Sequence, residues 1–138
     1  MKICVYGAGS IGGVIGGVLA QAGHDVSLIA RGAHLQALKA NGCTVETGEQ
    51  TFTVEIPCSD NPADFGPQDY VVVAVKGPAM PSIAAGIARL LGPDTAVVPA
   101  MNGIPWWFFD GFPVDGPDIR LPALDPSGAL AAAVSTDR

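Results

Sequence analysis

Lys2-Ile3-Cys4-Val5-Tyr6-Gly7-Ala8-Gly9-Ser10-Ile11-Gly12 follows the first methionine, and its reading decides the fold. Residues 2–6 are a short β-rich run. The next six form a G-x-G-x-x-G turn, and an apolar helical stretch then continues to Ala22, where Gly23 stops it. Strand, glycine turn and helix in this order have a mechanical reading: Gly7 permits the tight turn, Gly9 lets the backbone approach a pyrophosphate, and Gly12 lets the helix pack closely on the strand. The helix N-terminus then aims N–H groups and a partial positive charge at phosphate. Ala8, Ser10 and Ile11 sit between these glycines in the same candidate phosphate-binding turn. The hexapeptide alone is a weak signal, and the second strand predicted at Asp25–Ala30 supplies the context that strengthens it. The competing reading is that the glycines serve packing alone.

The same stretch imitates a membrane segment. Ile3 to Gly23 carries no charge, Lys2 precedes it, and Ala20-Gln21-Ala22 resembles a signal-peptidase site. Gly9 and Gly13, Gly12 and Gly16, and Gly13 and Gly17 each have the spacing by which membrane helices pair. Seven glycines in the run and its strand-like beginning argue against a span, so no membrane association is expected.

The end of the second strand selects the dinucleotide. An NAD site places Asp or Glu there for the ribose 2′-hydroxyl, whereas Val26-Ser27-Leu28-Ile29-Ala30 ends in Arg31-Gly32. A guanidinium at that point can pair with a 2′-phosphate, so NADP(H) is the favoured ligand, with a solvated surface arginine as the alternative. His34, one turn along, is read as facing solvent, with a further phosphate contact as the other choice.

Composition agrees with a folded α/β domain. The chain has 138 residues, 49% of them hydrophobic and 14% charged, enough to bury a core without disulfides. Its three cysteines are an odd number, which favours reduced thiols and a cytoplasmic setting. The net charge of −6 is unevenly spread: three bases face one acid before residue 46, and four bases face twelve acids from residue 46 onward. The acidic remainder argues against nucleic acid and leaves the first third as the place for a polyphosphate site. All twelve prolines fall at Pro57 or later, so the chain after residue 56 is heavily punctuated.

Beyond a helix at about Ala33–Asn41, Thr44–Glu46 and Thr51–Ile56 predict a hairpin around Thr47-Gly48-Glu49-Gln50. Tyr70–Val75 has the continuous apolar character of a strand buried on both faces and ends at Lys76. Met80–Leu91 reads as a helix, Thr95–Pro99 as the next strand, and residues 125–134 as a further helix that leads towards another strand. The fold class that follows is α/β, a Rossmann-like, doubly wound, mostly parallel sheet with helices on both faces. Lys76 and Asn102 fall just past carboxyl ends of strands, where an open α/β sheet binds ligands. From position alone Lys76 is either a phosphate or carboxylate contact or a surface lysine, and Asn102 is either an orienting amide or part of an Asn-Gly turn. Arg89 is read as solvated.

The combination of residues 2–12, Arg31 after the second strand, Val75-Lys76, and Met101-Asn102-Gly103-Ile104 resembles the N-terminal part of the ketopantoate reductase, or 2-dehydropantoate 2-reductase, family. The resemblance runs along nearly the whole chain. It implies NADPH-dependent reduction of a 2-keto acid to a 2-hydroxy acid, as in the step from 2-dehydropantoate to pantoate in pantothenate and coenzyme A biosynthesis. It also implies a Rossmann domain followed by a helical domain. By resemblance, Gly7, Gly9 and Gly12 hold the pyrophosphate, Arg31 the 2′-phosphate, Lys76 the cofactor, and Asn102 the cofactor and substrate near the reacting carbon. No metal is implied, and a homodimer is left open for the full-length form.

Two departures qualify that carry-over. Trp106-Trp107-Phe108-Phe109, with Phe112, gathers five of nine aromatics into seven residues. This cluster either lines the substrate crevice, covers a domain joint, or fills core under a loop. The second departure is length. The family's helical domain supplies the lysine general acid and a glutamate that grips substrate, so residues 1–138 are expected to form an NADP-binding domain incomplete at its C-terminal end, without that helical domain. Two readings of other classes remain beside the reductase: a non-catalytic NADP(H)-binding or sensing module, and an inactive fragment.

Overall fold

The structure, a computed structural model, describes residues 1–110 and 121–136. Its centre is β1 (Lys2–Tyr6), which the glycine turn joins to α1 (Ser10–Gln21). The chain continues through β2 (Asp25–Ile29), α2 (Gly32–Asn41), and the antiparallel pair β3 (Cys43–Glu46) and β4 (Thr51–Val54). It then passes through β5 (Cys58–Ser59), β6 (Tyr70–Val73), α3 (Met80–Ala88), β7 (Ala96–Pro99) and α4 (Ala129–Ala133). Five strands form a sheet in the order β5-β2-β1-β6-β7, and every pairing in it is parallel. The chain winds outward from β1 through β2 to β5, then returns to the other side of β1, so the switch point lies between β1 and β6.

Alternation along the strands builds two cores. Ile3, Val5, Val26, Leu28 and Val72 face one side, where α1, α2 and the hairpin cover them. Cys4, Ile29, Val71 and Val73 face the other and meet Met80, Ile83 and Ile87 of α3 and Leu130 of α4. Helices therefore lie on both faces, as the apolar Tyr70–Val73 run required. The glycines of α1 allow close approach: a side chain at Gly16 would come within 2.6 Å of Leu28 Cδ2, and one at Gly17 would collide with Val45 of the hairpin. Their membrane-like spacing thus serves contacts to sheet and hairpin. Among the described residues, no helix is long and apolar enough to cross a membrane.

Five elements differ from the sequence reading by two residues or more: β4 ends at Val54 rather than Ile56, α4 covers only Ala129–Ala133 of the predicted 125–134, and the other three are α3, β6 and β5. α3 stops at Ala88 rather than reaching Leu91, because Arg89 and Leu90 donate to carbonyls three residues back, and the Leu90 carbonyl accepts from the Gln68 N–H instead. This tightening drops Leu90 fully into the core. β6 ends at Val73, and Val75 turns to meet the glycine turn. Cys58, which has no strand pattern around it, joins Ser59 in a two-residue edge strand against Leu28 and Ile29. Pro99 ends β7, which among the described residues pairs with β6 alone; the Ala96 and Ala100 N–H groups donate to the carbonyls of Asp69, just before β6, and Val73, so the missing proline N–H lies on the side away from β6. Phe112 and the last two residues, Asp137 and Arg138, lie outside the described residues.

Candidate functional site

The carboxyl ends of the strands line up in one row, Ser59, Ile29, Tyr6, Val73 and Pro99, set by the register of the parallel pairs. Gly7 follows Tyr6 directly, Arg31 comes two residues after Ile29, and Lys76 and Asn102 come three residues after Val73 and Pro99. The row puts Arg31 on one side of the glycine turn and Lys76 and Asn102 on the other. From β2 to β7 it crosses three inter-strand steps, roughly 14 Å.

The turn is built from backbone. Gly7 has φ +101°, and a side chain there would come within 2.7 Å of Val75 Cγ1, so position and conformation both demand glycine. The Gly7 and Ala8 N–H groups both donate to the Ile29 carbonyl, at 3.1 and 3.0 Å. Gly12 is pressed against the Gly7 carbonyl oxygen and Ala74. Gly9 is different. It is the N-cap of α1, its φ of −72° suits any residue, and a Cβ built on it meets no protein atom within 4 Å. Neither strain nor packing explains a glycine there, whereas the close approach of a ligand does. No side chain caps α1 and no acid lies in its first turn, leaving its leading N–H groups and positive dipole end to face an anion. The residues present fit a dinucleotide pyrophosphate. A groove of about 540 Å³ opens beside the turn, lined by Gly9, Ser10, Gly13, His34, Asn41 and Thr44.

Arg31 is exposed at the N-cap of α2. Burial pushes the Tyr6 hydroxyl above its usual range, and the Arg31 charge pulls it partly back. His34 does not simply face solvent: its Nε2 lies 2.5 Å from the Ala8 carbonyl oxygen, tying α2 to the glycine turn. Lys76 is exposed and begins a 3₁₀ turn whose Ala79 N–H donates to the Lys76 carbonyl at 2.8 Å. Asn102 is exposed and precedes Gly103, which has φ +115°. Arg89 is exposed just past α3.

Of its three anticipated roles the aromatic cluster shows core filling, and it also walls a cavity. Trp106 packs against the α3 and α4 core, and Trp106 and Trp107, in edge-to-face contact at 4.4 Å, help wall an apolar cavity of about 280 Å³ between the loop after β7 and α3. Phe108 and Phe109 stack edge to face at 5.1 Å. The cavity also touches Gly77, next to Lys76, and Met101 and Gly103, on either side of Asn102. Residue order could not disclose it, because its walls come from segments about 25 to 50 residues apart.

Thiol chemistry is not what this site offers. Burial pushes Cys4 up to about 11, against a smaller downward pull from the Ser27 hydroxyl, and burial raises Cys43 as well, aided by the nearby Cys58. Both are therefore held as inert thiols at neutral pH. Among the described residues, no group of three or more His, Cys, Asp or Glu side chains could hold a metal ion.

The family described as ketopantoate reductase PanE/ApbA matches residues 3–105. A 2-dehydropantoate 2-reductase of Mesorhizobium japonicum is 43% identical over 142 residues, covering all of this chain and 43% of that protein. A crystal structure of a candidate ketopantoate reductase from Ralstonia solanacearum MolK2 is 49% identical with a TM-score of 0.88, covering 98% of this chain and 42% of that one. A ternary structure of D-mandelate dehydrogenase with NADH and anilino(oxo)acetate is 28% identical with a TM-score of 0.69, covering 76% of this chain and 34% of that one. The chain thus spans less than half the length of each of these relatives.

Proposed function

This chain belongs to the ketopantoate reductase PanE/ApbA family, and from that premise we propose that residues 1–138 form the NADP(H)-binding unit of an oxidoreductase that reduces a 2-keto acid to a 2-hydroxy acid. The observation that carries this reading is the glycine turn: Gly9 leaves open space at an uncapped helix N-terminus while Arg31 stands at the end of the neighbouring strand. When bound, NADPH supplies the hydride for the carbonyl carbon, and a proton completes the new hydroxyl.

The chain's own residues then divide the work. The backbone of Gly7, Ala8, Gly9, Ser10, Ile11 and Gly12 holds the pyrophosphate at the start of α1. Arg31 pairs with the 2′-phosphate and so favours NADP(H) over NAD(H). Lys76 neutralises cofactor or substrate charge on the far side of the turn, and Asn102 orients the nicotinamide end and the substrate carbonyl. We assign these two residues positioning, and no proton transfer, because each is exposed at a strand end. The keto-acid class comes from the relatives: one is named for 2-dehydropantoate, and another holds anilino(oxo)acetate, an oxo acid bearing an aromatic ring. A place in pantothenate biosynthesis and a cytoplasmic location complete the reading, the latter supported by three free cysteines.

The test is a titration of the chain with NADPH and with NADH, followed by quenching of Trp106 and Trp107 and by thermal stability. Saturable binding that favours NADPH at least tenfold, about 1.4 kcal/mol, is the expected result. Absence of binding by either nucleotide overturns the proposal.

A further inference from the structure

The structure assigns a substrate preference to this protein: we propose that the apolar cavity beside Asn102 seats the side chain of the 2-keto acid, and that this side chain is a bulky apolar group, aromatic or branched, without a hydroxyl. The proposal rests on the reductase reading above and specifies its substrate class.

Place is the first argument. The cavity lies where two ligand-facing loops meet, touching Gly77 directly after Lys76 and both neighbours of Asn102. A keto acid whose carboxylate and carbonyl lie at Lys76 and Asn102 has its third substituent, the side chain, left to enter this space. The chemistry of the walls is the second argument. Met80, Met101, Ile104, Trp106, Trp107 and Leu130 are among its walls, and among the described residues no charged side chain, hydroxyl or side-chain amide lines it, its backbone groups supplying polar wall. Among the described residues the buried indole N–H of Trp106 has no partner, and it can only donate. A ligand hydroxyl placed here would find no side-chain acceptor for its own proton, and burying an unpaired hydroxyl is costly. Size is the third. An apolar cavity of roughly 150 Å³ accepts a benzene ring, and this one measures about 280 Å³. Methionine thioethers and indole faces also make favourable contacts with an aromatic ring. The 4-hydroxyl of 2-dehydropantoate would exchange its full hydration here for backbone partners at most.

The experiment compares anilino(oxo)acetate with 2-dehydropantoate by calorimetric titration of the chain saturated with NADPH, and repeats both in Gly77→Ala and Gly77→Leu. Gly77 has no left-handed φ, and a Cβ there meets only the terminal methyl of Met101, at 3.5 Å, so the pair fills the cavity in two steps on an intact backbone. The expected result is at least tenfold tighter binding of anilino(oxo)acetate, lost by tenfold or more in Gly77→Leu and less in Gly77→Ala, with NADPH affinity and thermal midpoint close to the parent. Equal or tighter binding of 2-dehydropantoate, no binding of either acid, or indifference of anilino(oxo)acetate to Gly77→Leu overturns the inference while NADPH binding leaves the reductase reading standing. Failure of NADPH and NADH to bind at all overturns both.

Discussion

The imidazole of His34, near the start of α2, holds the carbonyl oxygen of Ala8 in the glycine turn at 2.5 Å. A carbonyl oxygen only accepts, so Nε2 carries the hydrogen. One bond therefore ties the helix that follows Arg31 to the glycine turn.

His34→Ala frees that carbonyl and lets the turn relax. Affinity for NADPH and NADH is expected to fall together by about 1 kcal/mol, roughly fivefold. His34→Gln, whose amide N–H reaches a similar distance, is expected to restore most of it. A loss confined to NADPH would instead place His34 on the 2′-phosphate, and fluorescence titration of both nucleotides separates the two outcomes.

Arg31→Ala removes the cation at the end of β2. NADPH binding is expected to weaken by about 1–3 kcal/mol, the range for a hydrogen bond to a charged group, while NADH binding changes little. Equal weakening of both nucleotides would remove Arg31 from the 2′-phosphate role.

Gly9 and Gly12 separate ligand binding from stability. A methyl group at Gly12 collides with the Gly7 carbonyl, a backbone atom that cannot step aside, so Gly12→Ala is expected to cost about 1–3 kcal/mol and to lower the thermal midpoint by several degrees. A methyl group at Gly9 meets nothing in the protein. Gly9→Ala is expected to keep stability within about 1 kcal/mol and still lose nucleotide affinity, since its methyl occupies the space a pyrophosphate needs. Unchanged affinity in Gly9→Ala would show that the ligand does not approach there.

Cys4 makes stability sensitive to alkali. Its thiol ionises at about 11 when folded against 9.0 for the free group, so between those values the unfolded chain has released a proton that the folded chain still binds. Stability is then fully present below about pH 9 and falls as pH rises towards 11, by up to about 2–3 kcal/mol, and the raised Tyr6 hydroxyl acts in the same direction. Denaturant melts across pH 8–11 check this. Cys4→Ala is expected to flatten the decline, although it is less stable at neutral pH for the buried Sγ contacts it loses.

The elements that local chemistry encodes were legible in the sequence. β1, the glycine turn and α1 follow from an apolar run broken by correctly spaced glycines, and the hairpin follows from two alternating runs around Thr47-Gly48-Glu49-Gln50. Arg31, Lys76 and Asn102 were legible as candidates because each follows a strand, and strand ends are the part of a parallel sheet that meets ligands. The two-residue strand at Cys58–Ser59 was not legible, because two residues carry no period and its edges come from β2 alone. Nor was the early end of α3, where the Gln68 N–H takes the Leu90 carbonyl from across a loop.

Sequence by itself determined the strand-turn-helix unit, the parallel character of the sheet and the identity of the residues at its carboxyl edge, since these depend on backbone preference and on periodicity within a few residues. Tertiary structure alone decided that His34 reaches back 26 residues to the Ala8 carbonyl, that Gly9 faces open space while Gly12 is packed, and that Gly77, Met101 and Trp106 close one cavity. The physical reason is distance along the chain: such contacts depend on how closely each helix and loop packs across the sheet, which is set jointly by every side chain between them.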